Sequence, residues 1–240
     1  MSETAPRPSI ADPLPRTAAN PLCPHLVYRD VLGPDAIIGL LALVSARHAD
    51  FRPTVVQNRT SGQRRIDYGL NSSESLSDVG AFTIPIKDFV SGIAEPAATR
   101  LAVSERRLEL KDFKISHFAD GARFGAHIDT LEQLGRVRVL SCVYYFSATP
   151  RPFLGGALRL YSLPTLSTSR AGHSQPFVDI TPETDTMVVF PSWLRHEVLS
   201  VHVPSRAWSD GRFAINCWLH RAGGTGKACA DPAVPRKASP

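Results

Sequence analysis

The chain has 240 residues, enough for one sizeable core, and its 43% hydrophobic and 20% charged content is that of a globular protein. This balance excludes gross disorder, a collagen-like sequence and a fibrous coiled coil. Formal net charge is +5, but residues 221–240 supply +3 of it and residues 25–220 only +2, which argues against a nucleic-acid-binding body.

Residues 1–24 hold six prolines and no apolar segment of the kind a secretory leader needs, so they read as a flexible arm. Residues 222–240 read as a second, basic flexible tail. The longest apolar run, Ala36 to Val44, is interrupted by Gly39 and falls well short of the roughly 18–20 residues of a membrane span. Pro34-Asp35 opens a helix running to about His48, with an apolar face from Ile37, Ile38, Leu40, Leu41 and Val44. Residues 52–80 are polar and rich in Ser, Arg and Asn, which predicts loops with a short strand or two. A second helix is expected from Ile86 to Leu101, with Pro96 awkwardly inside it. Residues 25–107 therefore form a helical support region.

From Leu108 the texture changes to strands, predicted at 108–118, 137–146, 157–161, 177–180, 186–190, 197–203 and 212–220, with Pro and Gly clusters between them. Two helices followed by a run of strands predict an α+β layout. A β-barrel or sandwich spans 108–221, with the N-terminal helices packed outside. The four cysteines, at 23, 142, 217 and 229, show no CxxC spacing. They read as small hydrophobes in a reducing compartment, which points to the cytoplasm.

Two His-x-Asp triplets occur. His48-Ala-Asp50 closes the first helix, where residues two apart point about 200° apart and cannot clamp one ion. His127-Ile-Asp129 follows a glycine-bearing turn and an extended stretch, where positions i and i+2 share a face. An imidazole and a carboxylate then converge, as in two-thirds of a 2-His-1-carboxylate triad. His196 is the best third ligand, because it follows a buried strand that turns at Pro191. His202 is a weaker alternative, and His173 and His220 read as solvated.

Residues 108–220 resemble the catalytic domain of Fe(II)/2-oxoglutarate-dependent dioxygenases, in the prolyl 4-hydroxylase-like branch. The matching pieces stand in family order. They are His127-x-Asp129, then Ser141-Cys-Val-Tyr-Tyr145-Phe-Ser, Gly155-Gly-Ala-Leu-Arg-Leu-Tyr161, Val188-Val-Phe-Pro-Ser192 leading to His196, and Gly211-Arg-Phe-Ala-Ile-Asn-Cys-Trp218. Asn58-Arg-Thr-Ser61 resembles the strand that precedes the domain. The resemblance implies a double-stranded β-helix (jelly roll) with Fe(II) held by His127, Asp129 and His196 and 2-oxoglutarate and O2 as cosubstrates. It implies Arg212 at the distal carboxylate of 2-oxoglutarate, with Tyr145 beside it. Alternation adds Ser141 to the same face, and Leu158 is a wall of that pocket. Arg206, ten residues after His196, competes with Arg212 by distance, or meets substrate.

The implied reaction hydroxylates an unactivated C–H bond and releases succinate and CO2. Asp129 argues for hydroxylation over halogenation, since related halogenases lack that carboxylate. Many prolyl hydroxylases carry an aromatic hydroxyl about ten residues before the first ligand histidine. This chain has His117-Phe118 there, so prolyl specificity does not transfer directly and His117 is a candidate pocket residue. Substrate candidates are a prolyl residue in a peptide, a free amino acid or another small molecule. Arg52, Arg59, Arg64 and Arg65 in the 52–80 loops suit an anionic or peptide substrate. A non-catalytic jelly roll that binds or senses metal and 2-oxoglutarate is the alternative. The sequence leaves ascorbate dependence and oligomeric state open.

Overall fold

Alternation of side chains along the strands sorts the core into two halves. In a computed structural model, which describes residues 23–57, 63–105, 107–130, 137–163 and 175–222, fifteen strands and two α-helices are seen among those residues. The expected flexible ends, the Asn58–Ser61 segment, His173 and Cys229 lie outside the described residues, except for positions 23, 24 and 222.

The strands in chain order are β1 (Leu26–Arg29), β2 (Arg52–Pro53), β3 (Val55–Gln57), β4 (Arg64–Ile66), β5 (Glu74–Leu76), β6 (Leu108–Phe118), β7 (Phe124–His127) and β8 (Arg138–Phe146). They continue with β9 (Leu154–Gly155), β10 (Leu158–Tyr161), β11 (Phe177–Ile180), β12 (Thr186–Pro191), β13 (His196–Val198), β14 (Val201–His202) and β15 (Arg212–Arg221). The helices are α1 (Pro34–Ala46) and α2 (Thr83–Arg100). A seven-stranded sheet runs β1-β12-β8-β15-β6-β5-β2 and a four-stranded sheet β11-β10-β13-β7, all in antiparallel pairs. Two ribbons, β3–β4 and β9–β14, complete the jelly roll.

Period-two patterning assigns each face of the large sheet. Cys142, Tyr144 and Phe146 of β8, with Met187 and Val189 of β12 and Phe213 and Ile215 of β15, pack toward the helices. Their neighbours Val143, Tyr145, Val188, Phe190 and Ala214 pack toward the small sheet, with Leu158 and Leu160. The face toward the small sheet is the one that carries the site.

The N-terminal region does more than supply outer helices. Strands β1, β2 and β5 are hydrogen-bonded into the large sheet, and β1 was not anticipated. Helix α1 ends two residues early, and a 3-10 turn over His48–Asp50 follows it. Of its expected apolar face only Leu40 and Val44 are fully buried, and Ile38 is exposed. The carboxylate of Asp185 docks the start of α1, accepting from the Leu32 and Gly33 amides at 2.8 and 2.9 Å and from the Tyr144 hydroxyl at 2.9 Å. Helix α2 starts at Thr83, three residues early, and accommodates Pro96 within its last turns.

Candidate metal centre

Strand pairing brings the two histidines together. His127 ends β7, His196 begins β13, and the two are register partners, with ring centroids 4.2 Å apart. Beyond His127 the chain leaves the strand, and the Asp129 and Thr130 amides both donate to the Ser192 carbonyl at 2.9 and 3.2 Å. This turns the Asp129 carboxylate back onto the imidazoles. Asp129 Oδ1 lies 3.7 Å from His127 Nε2, and Oδ2 lies 3.6 Å from His196 Nε2. One ligand atom from each residue falls within 4.8 Å of the other two.

The remaining ring nitrogens fix the tautomers. His127 Nδ1 donates to the Gly125 carbonyl at 2.9 Å, and His196 Nδ1 to the Leu194 carbonyl at 2.8 Å. Each bond reaches two residues upstream and leaves Nε2 with its lone pair toward the common point. Burial, then the neighbouring His196 ring, push the His127 imidazolium down to about 3, so the ring is neutral near pH 7. Burial alone would raise the Asp129 carboxyl. The adjacent His196 and His127 rings, the Arg138 guanidinium and the hydrogen bond from Trp218 outweigh it and hold Asp129 well below the usual carboxylate range. Two imidazole nitrogens and one carboxylate facing a common point form the donor set of non-haem Fe(II).

Asp129 is held by a second layer. Its Oδ2 accepts from Ser141 Oγ at 2.8 Å and from Trp218 Nε1 at 2.9 Å, and Ser141 Oγ lies 2.9 Å from Ser192 Oγ. Among the described residues no donor reaches Oδ1, which stays available to a metal. Arg138 stacks 3.9 Å from the Trp218 ring centroid and completes this support.

A cavity of about 1300 Å³ opens beside the triad, between the two sheets. Arg212 lines it at the head of β15. The guanidinium belongs to a residue only 1% exposed, and its carbon lies 4.9 Å from the ring centroids of both Phe118 and Tyr145. Burial pushes Arg212 down and Tyr145 up, each opposed by the other. Arg212 Nε and the Tyr145 hydroxyl are buried without a hydrogen-bond partner, and no carboxylate among the described residues pairs with Arg212. An orphaned buried cation is costly unless an anion completes it. The pocket therefore fits the distal carboxylate of 2-oxoglutarate.

The structure brings His127, Asp129, His196, Arg212 and Leu158 to one cavity, with Tyr145 buried against the Arg212 guanidinium, and four expectations change. Ser141 shares the face of Tyr145, but its hydroxyl is committed to Asp129 and Ser192, so it supports the metal ligand and does not line the cosubstrate pocket. Arg206 is exposed in a turn at φ 56° and does not reach the cavity. His117 faces away from the site. Phe118 opposes Arg212 in register, so strand parity turns His117 to the far side, where it is fully buried against Phe213 and Trp208. There its Nε2 bonds the Trp208 carbonyl at 2.9 Å. His220 is not solvated but buried beside Asp112, at 3.3 Å. His202 is exposed and bonds Asp120 at 3.1 Å, so it is no ligand.

The supporting roles of Trp218, Ser192, Arg138 and Phe118 were not foreseen. The signal for Trp218 was present, since alternation already placed it on the Arg212 face.

Residues 113–220 match the family model of the 2OG-Fe(II) oxygenase superfamily. An uncharacterised PKHD-type hydroxylase of Synechocystis sp. is 34% identical over 110 residues, which are 46% of this chain and 36% of that relative's length. The chain thus spans about a third of the curated relative it matches. A Pseudomonas putida prolyl-4-hydroxylase superposes with a TM-score of 0.55 at 19% identity, over 82% of this chain and 92% of that one. A prolyl hydroxylase from Trichoplax adhaerens, in complex with a hypoxia inducible factor oxygen degradation domain peptide, gives 0.55 at 16% identity, over 82% and 83%. These two likenesses are likenesses of fold.

Proposed function

We propose that the protein, whose residues 113–220 match the family model of the 2OG-Fe(II) oxygenase superfamily, is an Fe(II)- and 2-oxoglutarate-dependent dioxygenase that hydroxylates an unactivated C–H bond. The observation that carries the reading is the convergence of His127 Nε2, His196 Nε2 and an Asp129 oxygen within 4.8 Å beside a buried, unpaired Arg212.

In this reading the triad holds Fe(II). With 2-oxoglutarate and O2, the bound metal supplies oxidative decarboxylation to succinate and CO2 and delivery of oxygen into the C–H bond. The chain's own contribution is placement. Ser141 and Trp218 fix Asp129, the two carbonyls fix the imidazoles, and Arg212 and Tyr145 grip the distal carboxylate while Phe118 and Leu158 keep that end of the pocket dry. The substrate is a prolyl residue in a peptide or a free amino acid, and a fold neighbour solved with a peptide supports the first. The described cysteines, Cys23, Cys142 and Cys217, are buried free thiols, which suits a reducing compartment such as the cytoplasm. No helix among the described residues is long and apolar enough to cross a membrane.

Anaerobic titration of metal-free protein with Fe(II) and then 2-oxoglutarate tests this reading. A saturable visible charge-transfer band is expected. Well-folded protein that gives no band would overturn the assignment.

Gly156 supplies a second test. It sits at φ 66°, and a Cβ there would lie 2.7 Å from Arg212 Cδ and 2.9 Å from Val201 Cγ2. Gly156→Ala should cost about 1–2 kcal/mol in backbone strain and displace the guanidinium. Half-saturation of the band by 2-oxoglutarate should then rise at least about fivefold, with Fe(II) affinity unchanged. An unaltered 2-oxoglutarate requirement would detach Arg212 from the cosubstrate.

A further inference from the structure

The charge of the folded body is not evenly spread. The described residues of 25–220 carry 17 basic and 18 acidic side chains, and eight of the basic but only five of the acidic ones line the large cavity beside the triad. The rest of the described body is left with nine basic against 13 acidic, so no positive excess lies outside the cavity. The cofactors do not consume that excess. A divalent iron and a 2-oxoglutarate dianion cancel, and Asp129 cancels Arg212. Seven basic side chains then face four aspartates.

Two of these charges, Arg52 and Arg195, have no carboxylate partner among the described residues. Arg52 donates to the Ala49 and Phe51 carbonyls, at 2.7 and 2.8 Å. Arg195, next to the metal ligand His196, donates to the Gln175 amide oxygen at 3.2 Å and lies over Tyr161. Both are exposed. They come from β2 and from the turn ahead of β13, so they bracket the cavity from opposite sheets. Deeper in, Lys114 and Arg138 lie 5.5 and 3.9 Å from the ring centroid of Trp218, whose indole N–H holds Asp129. A cationic lining inside a concave, low-dielectric wall focuses potential and gathers anions.

We infer that the substrate of this site is a polypeptide segment carrying acidic residues beside the position that is oxidised. The inference rests on the dioxygenase reading and adds the charge of the substrate. About 1300 Å³ exceeds the roughly 300–1,000 Å³ usual for small-molecule pockets, which favours an extended chain over a free amino acid. Nucleic acid is the less suitable polyanion. Single strands are held by bases stacked on open aromatic faces, and the rings near the metal are already covered. Phe118 meets Arg212, Phe124 stacks on His127 at 3.7 Å, and Trp218 is capped by Arg138.

Fluorescence anisotropy of three labelled probes tests the inference on the full chain. The probes are an Ala-Pro peptide flanked by Glu residues, its Lys-flanked twin, and a thymidine oligonucleotide matched in charge to the acidic peptide. The acidic peptide should bind at least about tenfold tighter than its twin. Its affinity should fall between low salt and ~0.3 M salt, and Arg52→Gln and Arg195→Gln should each weaken it about two- to fivefold. Equal binding of the two peptides, binding of neither, or tighter binding of the oligonucleotide would overturn the inference. Because these arms run without iron or 2-oxoglutarate, their outcome is separate from the charge-transfer titration. A missing band with intact peptide preference removes the catalytic reading alone.

Discussion

Asp129→Ala is expected to abolish both the charge-transfer band and succinate formation, with metal affinity reduced more than 100-fold. Changes one layer out from a metal already cost about 10–100-fold, so loss of the only anionic ligand must cost more. The geometry also predicts how the loss is graded. Ser141 and Trp218 each donate to Asp129 Oδ2 and leave Oδ1 for the ion. Trp218→Phe keeps the ring under Arg138 but removes the indole N–H, and should weaken metal binding about tenfold without abolishing it. Asp129→Ala leaves the Trp218 indole N–H without its acceptor, at about 1–3 kcal/mol, while Ser141 keeps Ser192, so a lower melting temperature must be measured beside the titration. Asp129→Asn retains an acceptor for both donors and separates the two effects. It should melt close to the wild type and still lose the band. Wild-type turnover in either Asp129 variant would remove this residue from the metal centre.

The triad was legible because its signal is local and geometric. An extended His-x-Asp places two ligands on one face whatever the strand's partners are, and only His196 followed a turn out of a buried strand. Arg212 was legible for a similar reason: alternation along Arg212, Ala214, Asn216 and Trp218 needs no knowledge of the neighbouring strands. His117 shows the limit. Residues 115–118 are buried on both sides of the sheet, so composition does not mark which parity faces the site. The answer lies in the register with β15, where Phe118 opposes Arg212 and His117 opposes Phe213. His220 was misread because its polar neighbour is set by an irregularity in the β6–β15 register, where Asp112, at a left-handed φ of 58°, stands 3.3 Å from it. Strand β1 escaped notice because four residues after a proline-rich arm carry little period, and its place beside β12 is purely tertiary. The part of the site that positions ligands, unlike the ligands themselves, is built from non-local contacts. Ser141 and Ser192 are 51 residues apart, and Trp218 and Asp129 are 89 apart.

Arg212→Met is expected to separate function from stability, with opposite signs. The wild-type guanidinium is 1% exposed, has no carboxylate among the described residues and leaves Nε without a partner. A buried charge in that condition costs several kcal/mol, and burial correspondingly drives Arg212 toward its neutral form. Methionine fills comparable volume between Phe118 and Tyr145 without that cost. The metal-free, cosubstrate-free variant should therefore be as stable as the wild type or more stable, by about 1 kcal/mol or above. Binding should move the other way. A bidentate, charge-assisted grip on a carboxylate is worth about 1.5–3 kcal/mol per bond, so 2-oxoglutarate affinity should fall at least about 100-fold while Fe(II) still binds the triad. Arg212→Lys restores charge but not the planar fork, and should recover only part of the affinity. Thermal melts with and without 2-oxoglutarate read both effects in one experiment. The wild type should gain stability on adding the cosubstrate, and Arg212→Met should begin higher and gain nothing. If Arg212→Met melts well below the wild type without ligand, the guanidinium is part of the scaffold. If it keeps the ligand-dependent gain, the distal carboxylate binds elsewhere in the cavity.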